Sequence, residues 1–300
     1  MKGVKHMKKL ISIISSVAMT ATMAAAFSAN AADAEFSEPT FYFKIEETKG
    51  VETLLSGLVY VNQKEATSVP ASIYIKDEDK VAGQVFVKWA SDNKDVNIKN
   101  VTGPVAKYGA TPYKNFANDE EVSIVELPAI NGAGLNYSDT SSAEAMEYTG
   151  ETSDAYPLAC FDVVLANGAE NGKYNISVYD VGLYVTSVVC RPTGDGKFKE
   201  VFPAEKSEKL VTNVGDRMLG DMNDDKRVDA ADASSVLKAY AKISSNIDPE
   251  ITAGQTACAD VNGDSKVDSV DASKILSYYA YASTVDGEPV SLNNFIKGKK

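Results

Sequence analysis

Three hundred residues with 44% hydrophobic content are enough for one or two packed domains and do not have the composition of a disordered chain. The net charge of −12 argues against a nucleic-acid partner, because phosphate binding needs the opposite sign. The single histidine is His6, so the chain beyond it has no means to build a Ser-His-Asp triad, a Cys-His pair or a histidine-ligated zinc.

At the start of the chain, Lys2, Lys5, Lys8 and Lys9 precede an apolar run from Leu10 to Phe27, which ends in the small residues Ser28, Ala29, Asn30 and Ala31. That is the layout of a secretory signal peptide over residues 1–31, with cleavage after Ala31. Its removal takes four lysines and no acids, so the charge becomes −12 − 4 = −16. No later stretch approaches the roughly 20 apolar residues of a membrane span. The mature chain is therefore expected to be secreted and extracellular, with no membrane span.

Residues 32–214 read as one mainly β domain, a sandwich. FYFKI (41–45), ASIYIK (71–76), QVFVKWA (84–90), VNIKNV (96–101), VSIVEL (122–127), LACFDVVL (158–165), YNISVYD (174–180) and YVTSVVC (184–190) are short runs rich in Val, Ile, Tyr and Phe. Turn residues separate them, which predicts antiparallel pairing rather than parallel strands joined by helices. Residues 131–156 lack a period and read as a long surface loop with room for one short helix. Cys160, Cys190 and Cys258 are too few for a disulfide framework; three small thiols is the simpler reading, and a Cys160–Cys190 pair requires neighbouring strands.

The strands stop near residues 215–220, a linker, and an acidic dodecamer begins. DMNDDKRVDAAD (221–232) is followed thirty-nine residues later by DVNGDSKVDSVD (260–271). Calcium takes six to eight oxygen ligands, and a twelve-residue loop presents them at alternate positions. Loop one offers Asp221, Asn223, Asp225, the carbonyl of Arg227, Asp229 and Asp232. Loop two offers Asp260, Asn262, Asp264, the carbonyl of Lys266, Asp268 and Asp271. The oxygen donors agree between copies while the residues between them drift, which points to two calcium ions. The bland alternative is that Asp232 and Asp271 are merely helix N-caps. Each loop runs into a helix whose apolar stripe reads Ala233, Val236, Leu237 and Tyr240, or Ala272, Ile275, Leu276 and Tyr279. Two such stripes can bury only each other, so the repeats should pack as a pair, and folding of this small unit should be coupled to the metal. The tail 284–300 is either loose or folded back through Phe295 and Ile296.

A calcium loop followed by a helix, duplicated within residues 221–283, resembles a dockerin, and VDAADASSVLKAYAK with VDSVDASKILSYYAY is similar to dockerins of ruminococcal cellulosomes. The resemblance implies a small all-α module that plugs into a cohesin of a scaffoldin. It places partner contacts at Ala230, Ala231, Lys238 and Lys242 in the first copy, and at Ser269, Val270, Ser277 and Tyr281 in the second. The two sets differ in size and charge, which implies one docking orientation.

Residues 75–104 and 156–180 resemble cohesin modules and also fit the related sandwich of some carbohydrate-binding modules. A cohesin-like jelly roll joined to a dockerin implies a non-catalytic adaptor that recruits dockerin-bearing enzymes in plant polysaccharide breakdown. Two alternatives stay open. One is a module binding plant cell-wall polysaccharide through Tyr108, Tyr113, Tyr137 and Tyr148, since Trp89 shares a strand face with Val85 and Val87 and reads as core. The other is a small glycosidase, which needs two carboxylates; Asp162 and Glu126 are the odder acids, while Glu120 and Glu121 read as a solvated turn.

Overall fold

Period-two runs of branched and aromatic residues bury one face of each strand, so the strands of residues 32–214 must find a partner layer. A computed structural model describes residues 35–79, 81–82, 84–104, 123–128, 131–138, 146–147, 156–178, 187–193, 198–204 and 207–299. The expected signal segment 1–31 lies outside them, as do Tyr108, Tyr113, Tyr148, Glu120 and Glu121. Among the described residues no helix is long and apolar enough to cross a membrane.

The strands in chain order are β1 Thr40–Ile45, β2 Val51–Thr53, β3 Val59–Asn62, β4 Ser68–Lys76, β5 Val81–Ala82, β6 Gln84–Ser91, β7 Val96–Thr102 and β8 Ser123–Leu127. They continue as β9 Gly132–Ser138, β10 Met146–Glu147, β11 Ala159–Leu165, β12 Gly172–Ser177, β13 Val188–Pro192, β14 Phe198–Val201 and β15 Leu210–Gly215. The helices are α1 Ala230–Ser244, α2 Ala253–Ala259, α3 Ser269–Ala282 and α4 Leu292–Ile296. Two compact units result. Of the described residues, those within Met1–Lys44, Pro70–Val163 and Ile176–Lys209 form unit one, and those within Ile45–Val69, Val164–Asn175 and Leu210–Lys300 form unit two.

Unit one is a sandwich. One sheet has the order β1-β4-β11-β7. In the other, β6 pairs antiparallel with β9 along its length and with β13 at Val188↔Phe86, while β8 extends β9 and β14 extends β13. Trp89 of β6 meets Phe161 of β11 at 5.3 Å between ring centroids and is fully buried, so it belongs to the core. The region 131–156, expected to be a loop, instead begins with β9. Its small residues hide the strand signal, yet they are what permits it: a Cβ on Gly132 would stand 2.4 Å from the Trp89 carbonyl. Tyr137, expected in that loop, is buried in β9 and donates its hydroxyl to the Leu158 carbonyl. It therefore offers no sugar platform.

Asp162 and Glu126 both turn toward Asn100. Asp162 accepts from the Asn100 side chain at 2.7 Å, and Glu126 accepts from the Asn100 backbone N–H at 2.9 Å. Asn100 has φ of 52°, a left-handed conformation, and the two acids brace it. Arg191, fully buried, makes a bidentate ion pair with Asp77. Cys160, Cys190 and Cys258 form no disulfide with one another, and burial pushes the Cys190 thiol up to about 12.

Unit two holds β2, β3, β15 and most of β12 together with helices α1 to α4. β2 pairs antiparallel with β3, and β15 pairs with β3 in parallel from Thr212↔Val59 to Gly215↔Asn62. This parallel pair departs from the antiparallel expectation. One apolar core joins Leu54, Leu58 and Tyr60 to Leu219, Met222, Val236, Ala239, Val261, Ile275 and Leu292. The stretch 215–220, expected as a linker, is packed: Leu219 is buried, and the Arg217 carbonyl accepts from the Tyr60 hydroxyl at 2.7 Å.

Candidate functional site

The helices of unit two start where the dodecamers end, and their caps come from the loops. Asp229 is the N-cap of α1, accepting from the Ala231 N–H at 2.8 Å, while Asp232 at the third helical position accepts from the Asp229 N–H at 2.9 Å. Asp268 and Asp271 repeat this reciprocal box at α3. Asp232 and Asp271 are thus not the N-caps of the bland alternative; the helices begin earlier, at Ala230 and Ser269.

The remaining donors are held by matching backbone contacts. Asp232 accepts from the Met222 N–H at 2.9 Å, and Asp271 from the Val261 N–H at 3.0 Å. Asp221 accepts from the Lys226 N–H at 2.8 Å, and Asp260 from the Ser265 N–H at 2.9 Å. Asn223 and Asp225 take the N–H groups of Asp225 and Arg227, and Asn262 and Asp264 take those of Asp264 and Lys266. In both loops the fourth and sixth residues are left-handed: Asp224 and Lys226 at φ 61° and 66°, Gly263 and Ser265 at φ 76° and 71°. Sequences that differ at these positions therefore make the same turn. The first and last acids, Asp221, Asp232, Asp260 and Asp271, are all nearly or fully buried.

Buried carboxylates set close together call for a positive partner. Burial pushes the carboxyls of Asp232 and Asp260 upward, and that of Asp271 up to about 7. Asp260 Oδ1 is buried and no hydrogen bond reaches it. An orphaned anionic oxygen of this kind fits a hard cation with oxygen ligands. Among the described residues no group of three or more His, Cys, Asp or Glu is gathered to hold an ion by itself. Completion of a shell would fall to Asn223, Asn262 and the carbonyls of Arg227 and Lys266.

The raised carboxyls give a pH dependence. A folded-state pKa above the unfolded value of 3.8 means that the folded form holds its proton more tightly. Without metal, unit two should gain stability as pH falls from about 7 toward 4, and lose it as pH rises through 7. Cation uptake needs the ionised form and should weaken over the same fall. Denaturant midpoints in chelator at pH 5 and pH 8 check this: the midpoint is expected to be higher at pH 5, and the reverse order contradicts it.

On each helix two of the four residues expected in the apolar stripe are not buried. Ala233, Val236 and Ala239 are buried on α1, and Ala272 and Ile275 on α3, but Leu237, Tyr240, Leu276 and Tyr279 are 37–42% exposed. The seam is filled by alanines with Val236 and Ile275, and the longer Leu and Tyr side chains turn out to solvent. Among the expected contact residues, Ala230, Ala231, Lys238, Ser269, Val270 and Ser277 are exposed. Lys242 pairs with Glu250 at 2.6 Å, and Tyr281 stacks on Phe295 at 4.9 Å. Phe295 belongs to α4, so the tail is folded back; Asn293 also donates to the Thr53 carbonyl at 3.0 Å. Helix α2 was not anticipated from sequence, although Thr252 and Gln255 form a capping box that announces it.

Residues 219–278 match the family model described as the dockerin type I domain, and domains of this family bind calcium. No curated protein matches the chain. Among solved structures, the chain is similar to the seventh ScaB type I cohesin of Pseudobacteroides cellulosolvens, at 12% identity and a TM-score of 0.38, covering 59% of this chain and 92% of that one. It is also similar to the third ScaB cohesin of R. flavefaciens in complex with a group 1 dockerin, at 15% identity and 0.31, covering 61% and 97%. A third is the second type II cohesin module of the cellulosomal adaptor ScaA scaffoldin of Acetivibrio cellulolyticus, at 10% identity and 0.34, covering 59% and 98%.

Proposed function

We propose that the chain is a secreted, non-catalytic adaptor of a cellulosome-type assembly. Its C-terminal module holds two calcium ions, one in each dodecamer, and docks onto a cohesin of a scaffoldin. Its sandwich recruits dockerin-bearing enzymes for plant polysaccharide breakdown. The observation that carries the reading is the family match over residues 219–278, falling on two loops whose donors make the same contacts position by position. The ligands would be Asp221, Asn223, Asp225, the Arg227 carbonyl, Asp229 and Asp232, and Asp260, Asn262, Asp264, the Lys266 carbonyl, Asp268 and Asp271.

In this reading residues 1–31 direct export, 32–214 form the recruiting domain, 215–220 the junction, 221–283 the docking module and 284–300 its tail. Folding draws on a wider set of residues, because 45–69 and 164–175 pack with 210–300. The docking face combines Ala230, Ala231, Lys238, Lys242, Ser269, Val270, Ser277 and Tyr281 with the exposed Leu237, Tyr240, Leu276 and Tyr279. Apolar side chains surrounded by polar ones are what a partner surface needs. The stacked Tyr281 makes the second copy the less available of the two.

Pull-down with the full chain tests both ends. Immobilised cohesin should retain it in calcium and release it in chelator, and the retained chain should capture dockerin-bearing enzymes. Retention on insoluble glucan or xylan, or release of reducing sugar, would replace the recruiting role with one of the alternatives.

A further inference from the structure

The two loops are not equal in their surroundings. Lys173, from the segment Val164–Asn175 of unit two, reaches loop two: its ammonium donates to the Ser265 hydroxyl at 2.6 Å and stands 3.7 Å from Asp260 Oδ2. Asp260 is the first donor of that loop, its side chain is 4% exposed, and its other oxygen has no hydrogen bond. Loop one has cations nearby too, but with different targets: Arg227 of the loop itself, 72% exposed, stands 3.8 Å from Asp229 Oδ2, and a lysine lies at the loop's rim. Lys64 pairs at 2.9 Å with Asp224, which is 44% exposed and lies between the donor positions. Among the described residues no ion pair reaches Asp221, the counterpart of Asp260.

From this asymmetry we infer that Lys173 is a built-in counter-cation of loop two that competes with calcium there, so the loops fill in order, loop one first. The inference rests on the calcium reading of the two dodecamers. A positive charge beside the first ligand stabilises the acidic loop before metal arrives, and it opposes the ion once metal binds. Solvent screening limits the effect, since the lysine side chain is 36% exposed and can swing outward. The exposed Lys64–Asp224 pair has no comparable leverage.

Calcium titration of the full chain by calorimetry tests this. Wild type should show a stronger and a weaker site. Lys173→Gln should tighten the weaker site about tenfold and leave the stronger one within about twofold; Lys173→Arg and Lys64→Gln should behave as wild type. Loop identity comes from two backgrounds: Asp225→Ala should leave one site that still responds to Lys173→Gln, and Asp264→Ala one that does not. If Lys173→Gln takes up two ions with an unchanged isotherm, or binds them more weakly, the inference is overturned while the calcium reading stands. If neither protein takes up calcium, the calcium reading itself has failed.

Discussion

Asp271→Ala should abolish calcium uptake by loop two and destabilise unit two by roughly 2–5 kcal/mol in calcium-containing buffer. The carboxylate of this fully buried residue receives the N–H groups of Val261, Asn262 and Asp268, tying the first third of the loop to the first turn of α3. Alanine leaves those donors without an acceptor and, in the proposed calcium shell, removes the last oxygen ligand. The helix loses half of its capping box as well. Calorimetry should report one ion per chain instead of two, and the denaturant midpoint should fall. In chelator the penalty should shrink, because the metal-free chain already bears the cost of burying that carboxyl. An unchanged stoichiometry would mean that Asp271 caps a helix and does nothing further.

Leu54→Ala should cost unit two about 2–5 kcal/mol, although Leu54 lies far from the two dodecamers in sequence. The side chain is 2% exposed and belongs to the same core as Met222, Val261 and Ile275. Its neighbour Gly263 sits at the fourth position of loop two, where a Cβ would stand 2.2 Å from the Ser56 hydroxyl and 3.1 Å from Leu54. The close approach explains why that position is glycine in loop two and Asp224 in the open loop one. Loss of helical circular dichroism at a lower temperature in Leu54→Ala, without loss of the sandwich signal of unit one, is the expected result. Equal stability of the two proteins would show that the 54–58 turn only rests against the helices.

The parts legible in the sequence were those whose information is local. Oxygen donors at alternate positions sit within twelve residues, and both dodecamers fold to matching contacts. Strands such as β6 and β11 announced themselves by composition and lie where the runs predicted, as the buried Trp89 and Phe161 show. What is not legible there depends on distant segments. Nothing in GAGLNYS betrays β9 until Gly132 is seen against the backbone of Trp89. Whether Tyr240 or Ala239 faces inward is decided by how closely the helices approach, which a periodic count over one helix does not contain. Likewise the packing of Leu54 and the reach of Lys173 to Asp260 are long-range facts, and neither residue has a motif around it.

The most direct test of the account is calcium titration of the metal-stripped full chain, followed at once by heat and by far-ultraviolet circular dichroism. Uptake of two ions, with helical signal gained as they bind and lost again in chelator, is the predicted result. A chain that takes up no calcium, or whose helices are indifferent to it, contradicts the proposal that the paired dodecamers are calcium loops on which docking depends.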